Sequence, residues 1–347
     1  MFVRHPNNPL ISPRDLQPSR PDFEIIGAFN AGATVYNGET LLLVRVAERP
    51  ISASPDIVLV PYFDASGAIT MLRVRRDDPA YDTHDPRMVG DRQNGSFFLT
   101  SLSHLRLARS HNGVSFTVED HPWLHGQPPF ETFGVEDARI TPIEGAYYVN
   151  YTAVSPFGIA TALVSTRDFV GIERHGLIFA PNNRDVTLFP EKIGGRYVCY
   201  HRPMPGSHLH IGLATSPDLI HWGDLRIVLE SKSGAWDGGR VGGGAPPIKT
   251  DQGWLSIYHA ADAQNRYCLG AFLTPLDAPD RIIARSQQPI FVPEAPYETN
   301  GFFGNVVFTC GALADGDRLR IYYGAADDKI ALAETSITDL IHTLQPI

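Results

Sequence analysis

Cysteine is scarce in this chain. Its three residues, Cys199, Cys268 and Cys310, each lie inside an apolar, strand-like run. An odd, scattered set argues against a disulfide framework and for a reducing compartment. Long hydrophobic runs are missing too. None approaches the ~18 apolar residues of a membrane span, so no membrane partner is expected. The opening stretch, residues 1–15 (MFVRHPNNPLISPRD), has no apolar region of the signal-peptide kind. Cytoplasmic residence is the expectation. Positive charge is in deficit: 29 Lys and Arg stand against 38 Asp and Glu, for a net charge of -9. That balance disfavours a nucleic-acid surface. Helical periodicity is thin, and only residues 336–344 read as a short helix. Gly242-Gly243-Gly244 is not a nucleotide loop, because no GK[ST] follows and no helix opens there; a tight turn is the plainer reading. His208 and His210 alternate like metal ligands, but no third ligand has a matching spacing, so neither metal nor organic cofactor is assigned.

What is abundant is glycine, at 31 residues, and proline, at 28, within a chain that is 43% hydrophobic. That mixture suits many short strands and tight turns around a full core. A repeat is legible. Residues 97–110, 147–165, 197–216, 254–274 and 319–335 each read as a strand, a polar excursion and a second strand ending in Ser or Thr. A turn and an aromatic or apolar residue follow. The closing Ser/Thr positions 110, 165, 216, 274 and 335 are 55, 51, 58 and 61 residues apart, slightly longer than the ~40 to 50 of common propeller repeats. The expected fold is an all-β, five-bladed β-propeller, one domain over residues 1–347, with an irregular proline-rich arm over about residues 1–28. A β-sandwich with insertions is the alternative, but sandwiches lack such self-similarity.

The chemistry concentrates in residues 131–153, around Gly134-Val135-Glu136-Asp137-Ala138-Arg139-Ile140. If this run is extended, Val135, Asp137 and Arg139 share one face and Glu136 and Ala138 the other. Charges at the start of a buried strand are costly unless they are paired or line a cavity. A structural ion pair and a catalytic carboxylate in a polar funnel are both open on these residues alone. Arg45, within the apolar run of residues 40–46, has the same two readings. In a propeller the first strand of each blade faces the channel, so Arg45, Asp137, Arg184, Asp185, Lys192, His201, Arg202, Tyr258, His259 and Asp327 would converge. Asp137 is then the one credible catalytic acid among several cations. Trp222, Trp236 and Trp254 offer flat faces on which a ligand could stack, although Trp222 repeats the core position of Phe169 and Phe116.

The run GVEDARIT, followed by YYVNYTAVSP, resembles the GxEDPRIT core of the β-mannoside phosphorylases and mannosidases of glycoside hydrolase family 130. The likeness continues through residues 29–32 (FNAG), 41–45 (LLLVR), 184–192 (RDVTLFPEK), 200–203 (YHRP), 245–259, 297–308 (YETNGFFGNVVF) and 321–327 (IYYGAAD). It departs at Ala138, where the family usually has Pro, and at Arg184, where it more often has Lys.

The resemblance implies that Asp137 is the general acid, acting in some members through a sugar hydroxyl. It implies a phosphate site from Arg45, Arg184, Lys192, His201 and Arg202. Asn30, Asp85, Arg87, Glu136, Asp185, Tyr258, His259, Glu298 and Asp327 would contact the sugar. An inverting hydrolase needs a second carboxylate to activate water, whereas phosphate is already a nucleophile that Arg, Lys and His can orient. Between residues 201 and 292 the only glutamate is Glu230, and the mannosidase branch is distinguished by glutamates in that general region. The expected partners are therefore a β-mannoside, closest to β-1,2-linked mannobiose or oligomannan, and inorganic phosphate as co-substrate. A water-using β-1,2-mannosidase and a non-catalytic mannoside-binding propeller are the rivals. The sequence does not settle whether the chain forms a homo-oligomer.

Overall fold

The computed structural model describes residues 2–204 and 209–347, so His208 lies outside it. Among the described residues the regular structure is nearly all strand, with two short α-helices, Pro296–Thr299 and Ile337–His342, and a 3-10 turn at Pro13–Asp15. Five antiparallel sheets of four or more strands follow one another along the sequence. In each, the strand that comes first in the sheet's own run of sequence lies at one edge. These edge strands are Phe23–Tyr36, Val135–Ile143, Asn183–Leu188, Arg240–Gly243 and Val307–Asp315.

Turn chemistry sets the register. Asn37-Gly38 and Glu144-Gly145 both place two consecutive residues at positive φ, 49° and 80° in the first pair and 49° and 81° in the second. This backbone matches the right-handed twist of the strands it joins. Side-chain alternation then buries both faces of the strands behind the edge. In Glu39–Pro50, Leu41 and Leu43 pack toward Val135 and Ile140 of the second sheet, while Leu42, Val44 and Val46 pack toward Tyr322, Ile330 and Leu332 of the fifth. The remaining cores repeat the arrangement. Leu163 of the second sheet meets Val186 and Cys199 of the third, Tyr200 meets Trp254 and Phe272 of the fourth, and Leu269 meets Ile321 and Tyr323 of the fifth. Each sheet thus packs on its successor, and the fifth packs back on the first. All three cysteines are buried and unpaired.

The repeat read from sequence is the second and third strands of the second to fifth sheets. The first sheet differs: its second strand is Glu39–Pro50, and residues 51–101 are inserted before the third, Leu102–Ser110. The insertion forms two small sheets of its own. The opening residues also depart from an irregular arm. Val3–Arg4 pairs with Lys329–Ser336 in the fifth sheet, and the first edge strand begins already at Phe23. Gly242 and Gly243 belong to a strand, not a turn.

Glu298, expected to contact sugar, is instead a structural residue with no exposure. Its carboxylate accepts from Arg4 Nε and Nη2 at 2.8 and 2.9 Å, from Tyr323 Oη at 2.7 Å, and from the amides of Glu294 and Ala295. These bonds hold the Val3–Arg4 strand in place. Arg4→Ala removes the cation that pairs with the buried carboxylate among the described residues, leaving Tyr323 and two backbone amides as donors. It is expected to lower stability by about 1–3 kcal/mol, read as a shift in urea midpoint. An unchanged midpoint would show that the amides and Tyr323 alone satisfy Glu298.

Candidate active site

Three edge strands share a local defect. The registers of Phe23–Tyr36, Val135–Ile143 and Asn183–Leu188 each slip, between Phe29 and Gly32, Glu136 and Arg139, and Arg184 and Thr187. Inside each slip sits an Asn or Asp in the left-handed region: Asn30 at φ 51°, Asp137 at φ 50° and Asp185 at φ 56°. Asn and Asp tolerate this conformation better than other side chains. The extra residue breaks the two-residue alternation and re-aims the side chain. That is why Glu136 and Asp137 both line one cavity, against the expectation from a regular strand that they face opposite ways.

The cavity has a volume of about 550 Å³. Asn30, Arg45, Arg87, Glu136, Asp137, Arg184 and Asp327 line it, as expected from sequence. Asp137 is buried and thrice held: Asn30 Nδ2 donates to Oδ1 at 3.0 Å, Arg45 Nη1 to the same oxygen at 3.1 Å, and Arg184 Nη2 to Oδ2 at 3.3 Å. Burial pushes this carboxyl up, but Arg45, Arg184 and Arg139 outweigh it and hold it below the usual range. Arg45 also donates to Glu136 Oε1 at 2.7 Å and lies 4.6 Å over the Phe29 ring. Asp327 is the opposite case. It makes no hydrogen bond or ion pair among the described residues, and it and Ala326 are both left-handed, at 49° and 53°. Burial pushes its carboxyl up to about 6. Asp137 and Glu136 add to the rise, and Arg45 and Arg87 oppose it.

Beneath the cavity lies a second charged layer centred on Asp185, which is buried. It receives Arg202 Nη1 at 3.1 Å, His259 Nε2 at 3.2 Å, Arg139 Nη2 at 3.4 Å and Arg184 Nε at 3.5 Å. Although burial opposes it, these partners hold the Asp185 carboxyl well below the ordinary value. Burial pushes His259 down to about 4, so it is neutral at pH 7. A Cβ on Gly242 would fall 2.4 Å from Asp185 Oδ2 and one on Gly243 2.6 Å from Asp185 O. Arg139 donates to the carbonyls of Gly243 and Gly244 at 2.9 and 3.1 Å. The glycine run exists so that this strand can lie against the buried charges. Asp185, Arg202 and His259 thus support the cavity floor and do not line it.

Four further expectations are corrected. Lys192 lies beyond the far end of Asn183–Leu188, about 13 Å of strand or more from Arg184. There it pairs with Glu144 at 3.0 Å and covers the Tyr197 ring. His201 points to the opposite face from Arg202, stacks on Phe179 at 4.7 Å and meets Asn183 through Nδ1. Tyr258 alternates with His259 into the core, where its hydroxyl donates to Asp237 and accepts from Arg285. Asp85 faces a neighbouring cavity and reaches the site only through Arg87. None of Trp222, Trp236 and Trp254 lines the cavity. Sequence reasoning missed Arg240, Asn265, Tyr267 and Phe308, which do line it. Arg240 donates to Tyr267 Oη at 3.0 Å and Asn265 Oδ1 at 2.7 Å. Asn265 lies in, and Tyr267 borders, the polar excursion of the fourth repeat, and Arg240 immediately precedes the glycine run. Those were the available signals.

A cavity of carboxylates and arginines at the bulged edges of successive sheets is the arrangement of a carbohydrate-processing enzyme. A family model described as β-1,4-mannooligosaccharide phosphorylase, that of glycoside hydrolase family 130, matches residues 81–345, and the chain belongs to that family. A β-1,2-mannobiose phosphorylase from Listeria innocua is 49% identical over 99% of this chain and 98% of its own length. Its solved complex with β-1,2-mannobiose superposes with a TM-score of 0.96 over 99% of this chain and 98% of that one. A 1,2-β-oligomannan phosphorylase from Thermoanaerobacter is 40% identical over 69% of this chain and 80% of its own.

The unpartnered carboxyl of Asp327 makes a sign-specific prediction. Its folded pKa of about 6 lies above the ordinary 3.8. Ionisation therefore opposes folding; the penalty is absent below about pH 4, develops between about 4 and 6, and is complete above. Asp327→Asn, which keeps the left-handed tolerance, is expected to melt above wild type at neutral pH, with the difference vanishing as pH falls toward about 4. Equal melting temperatures at neutral pH would mean that the carboxylate is already compensated.

Proposed function

We propose that this protein phosphorolyses β-1,2-mannobiose with inversion, giving α-mannose 1-phosphate and mannose, and that the reaction runs in both directions. The observation that carries the reading is the wealth of arginine in the cavity: Arg45, Arg87, Arg184 and Arg240 all line it together with Asp137. Arginine suits a phosphate oxyanion. The near-full-length likeness to the Listeria phosphorylase supports the same reaction.

In this reading Asp137 is the acid. In the ligand-free site its arginines keep it ionised. A phosphate dianion beside Arg184 takes up that positive charge and lets the carboxyl pick up a proton, so nucleophile binding arms the acid. Phosphate oxygen bonds to the anomeric carbon as the glycosidic C–O bond breaks. The Asp137 proton goes to the leaving oxygen, directly or through a sugar hydroxyl. Arg45 holds Glu136 and Asp137 together, and Asn30 fixes the Asp137 rotamer. Arg202, His259 and Asp185 anchor Arg184 from below.

The premise of a lone carboxylate does not carry over, because Glu136 and Asp327 line the same cavity. Asp327, with no protein partner, is chemically able to take a proton from water. Hydrolysis is therefore the rival that an assay must separate. The five sheets are read here as five blades of one propeller domain over residues 1–347, supported by the packing of each sheet on the next and of the last on the first. Three unpaired cysteines suit a reducing cytoplasm.

The test is proton NMR of the products from β-1,2-mannobiose with and without phosphate. α-Mannose 1-phosphate formed only with phosphate is expected, and free mannose released at equal rates in both conditions would sink the reading. Asp137→Asn should keep the fold and lose about 10²- to 10⁴-fold in turnover; retention of more than about a tenth removes it from the acid role. Arg184→Ala should raise KM for phosphate more than KM for the disaccharide, and equal changes would make it structural.

A further inference from the structure

Away from the catalytic cavity, a second cleft of about 370 Å³ opens at the outer edge of the second sheet. It lies between the loop at residues 127–131 and the sheet's outermost strand, Glu173–Phe179. Among the described residues it shares no lining side chain with the catalytic cavity. Its size is that of a small-ligand site, and the reaction uses none of its side chains.

Its floor is a charged pair. Glu131, only 8% exposed at its side chain, accepts from Tyr151 Oη through Oε1 at 2.6 Å. Its Oε2 accepts from the Gln127 amide at 2.7 Å and from Arg174 Nη1 at 3.0 Å. Arg174 Nη2 donates to His125 O at 2.7 Å. These bonds fix both planar groups. They leave Glu131 Oε1 with one donor, short of the two it can take, and Arg174 Nε with no acceptor among the described residues. The wall is aromatic. Phe130 borders the cleft, and its ring centroid stands 5.6 Å from that of Phe157 at an angle of 55°. The two are 39% and 63% exposed. Neither sits on a loose turn. Beside Phe130, Thr132 Oγ1 donates to Pro129 O at 2.9 Å; beside Phe157, the Ile159 amide donates to Asn182 Oδ1 at 3.0 Å. Single exposed apolar residues need no explanation, but two rings held together beside a charged floor mark an interaction site.

We propose that this cleft is a second sugar site, which binds a neutral β-mannoside of the kind the catalytic cavity turns over. The ligand class follows from the charges. An anion would be repelled by Glu131 and a cation by Arg174, so neither gains from the floor as a whole. A neutral pyranose gains from both groups. Its adjacent hydroxyls donate to the carboxylate and accept from the guanidinium, while the C–H face of the ring packs on Phe130. The site holds sugar without reacting with it, because Glu131 is the single carboxylate among the described residues that line it and glycoside cleavage by water takes a pair. The placement is also suited to retaining substrate. Glu131 leads directly into Val135–Ile143, and Phe157 turns at the end of the second sheet where Glu136 and Asp137 stand. The proposal rests on the mannoside reading and adds a place where substrate is held between turnovers.

The test counts binding sites. Equilibrium dialysis of labelled β-1,2-mannobiose against Asp137→Asn, without phosphate, measures sugar bound per chain with turnover stopped. Two sugars per chain are expected. Adding Phe130→Ala or Arg174→Gln should weaken one of the two by about tenfold, the scale of one aromatic contact, and leave the other unchanged. Thermal melts confirm folding, and two variants keep the test decisive if one is too unstable to use. Placed singly in the otherwise native protein, the same substitutions should leave kcat and the KM for phosphate as they are. One sugar per chain before these substitutions, or two that both survive them, would overturn the second site. The mannoside reading is judged apart, by phosphate-dependent turnover of the disaccharide in wild type. Turnover with a single bound sugar sinks only the second site; no turnover and no bound sugar sink both.

Discussion

The buried carboxylate of Asp185 is the interaction on which the rest depends. Three arginines and a histidine from the second, third and fourth sheets converge on it. Removing one partner from a buried charge cluster costs far more than the cluster contributes in net stability. The residues are therefore committed to each other, and their commitment fixes the three sheets relative to one another at the point where they come closest. It also explains the composition around them. The strand at Arg240–Gly243 carries glycines because any side chain would fall on Asp185 or His259. Arg139, fully committed to this layer, is unavailable to a ligand; Arg184, which reaches both Asp185 and Asp137, couples the structural layer to the reactive one.

Several of the left-handed residues sit where chemistry is expected. Asn30, Asp137, Asp185 and Asp327 all hold left-handed backbone, a conformation that costs on the order of 1–3 kcal/mol at a non-glycine residue. The hydrogen-bonded edge strands on either side supply the stability that sustains it. Asp327 adds an uncompensated carboxyl in the same cavity. The site therefore concentrates left-handed backbone at bulged, hydrogen-bonded strand edges.

Much of this was legible in the residues. The abundance of glycine and proline and the repeat period carried the strand content and the succession of sheets. The run at residues 134–140 marked the reactive edge. What failed were the inferences that required a regular strand. Alternation misassigned the faces of Glu136 and Asp137 because a bulge adds a residue that no propensity announces. Lys192, His201 and Tyr258 were drawn to the site by nearness in sequence to Arg184, Arg202 and His259. Yet a strand carries Lys192 away along its length and turns the other two to its opposite face. Arg240 and Tyr267 escaped notice because the site recruits them from a neighbouring sheet, a distance in sequence that no local pattern spans. The insertion at residues 51–101 hid the first repeat by separating its two strands.

The pairing of Val3–Arg4 with Lys329–Ser336 sets an order on events during synthesis. Val3 and Arg4 find their partner strand only when more than three hundred further residues have been made. Until then the fifth sheet lacks a strand and Glu298 lacks its guanidinium. Sheets two and three are built from contiguous sequence and can form as they emerge. The last step is a long-range closure whose loop entropy is met all at once. A nascent chain of this protein therefore waits with an open edge and an unpaired carboxylate. In that interval proteolysis or mispairing competes with completion, and the speed of the final docking sets the yield.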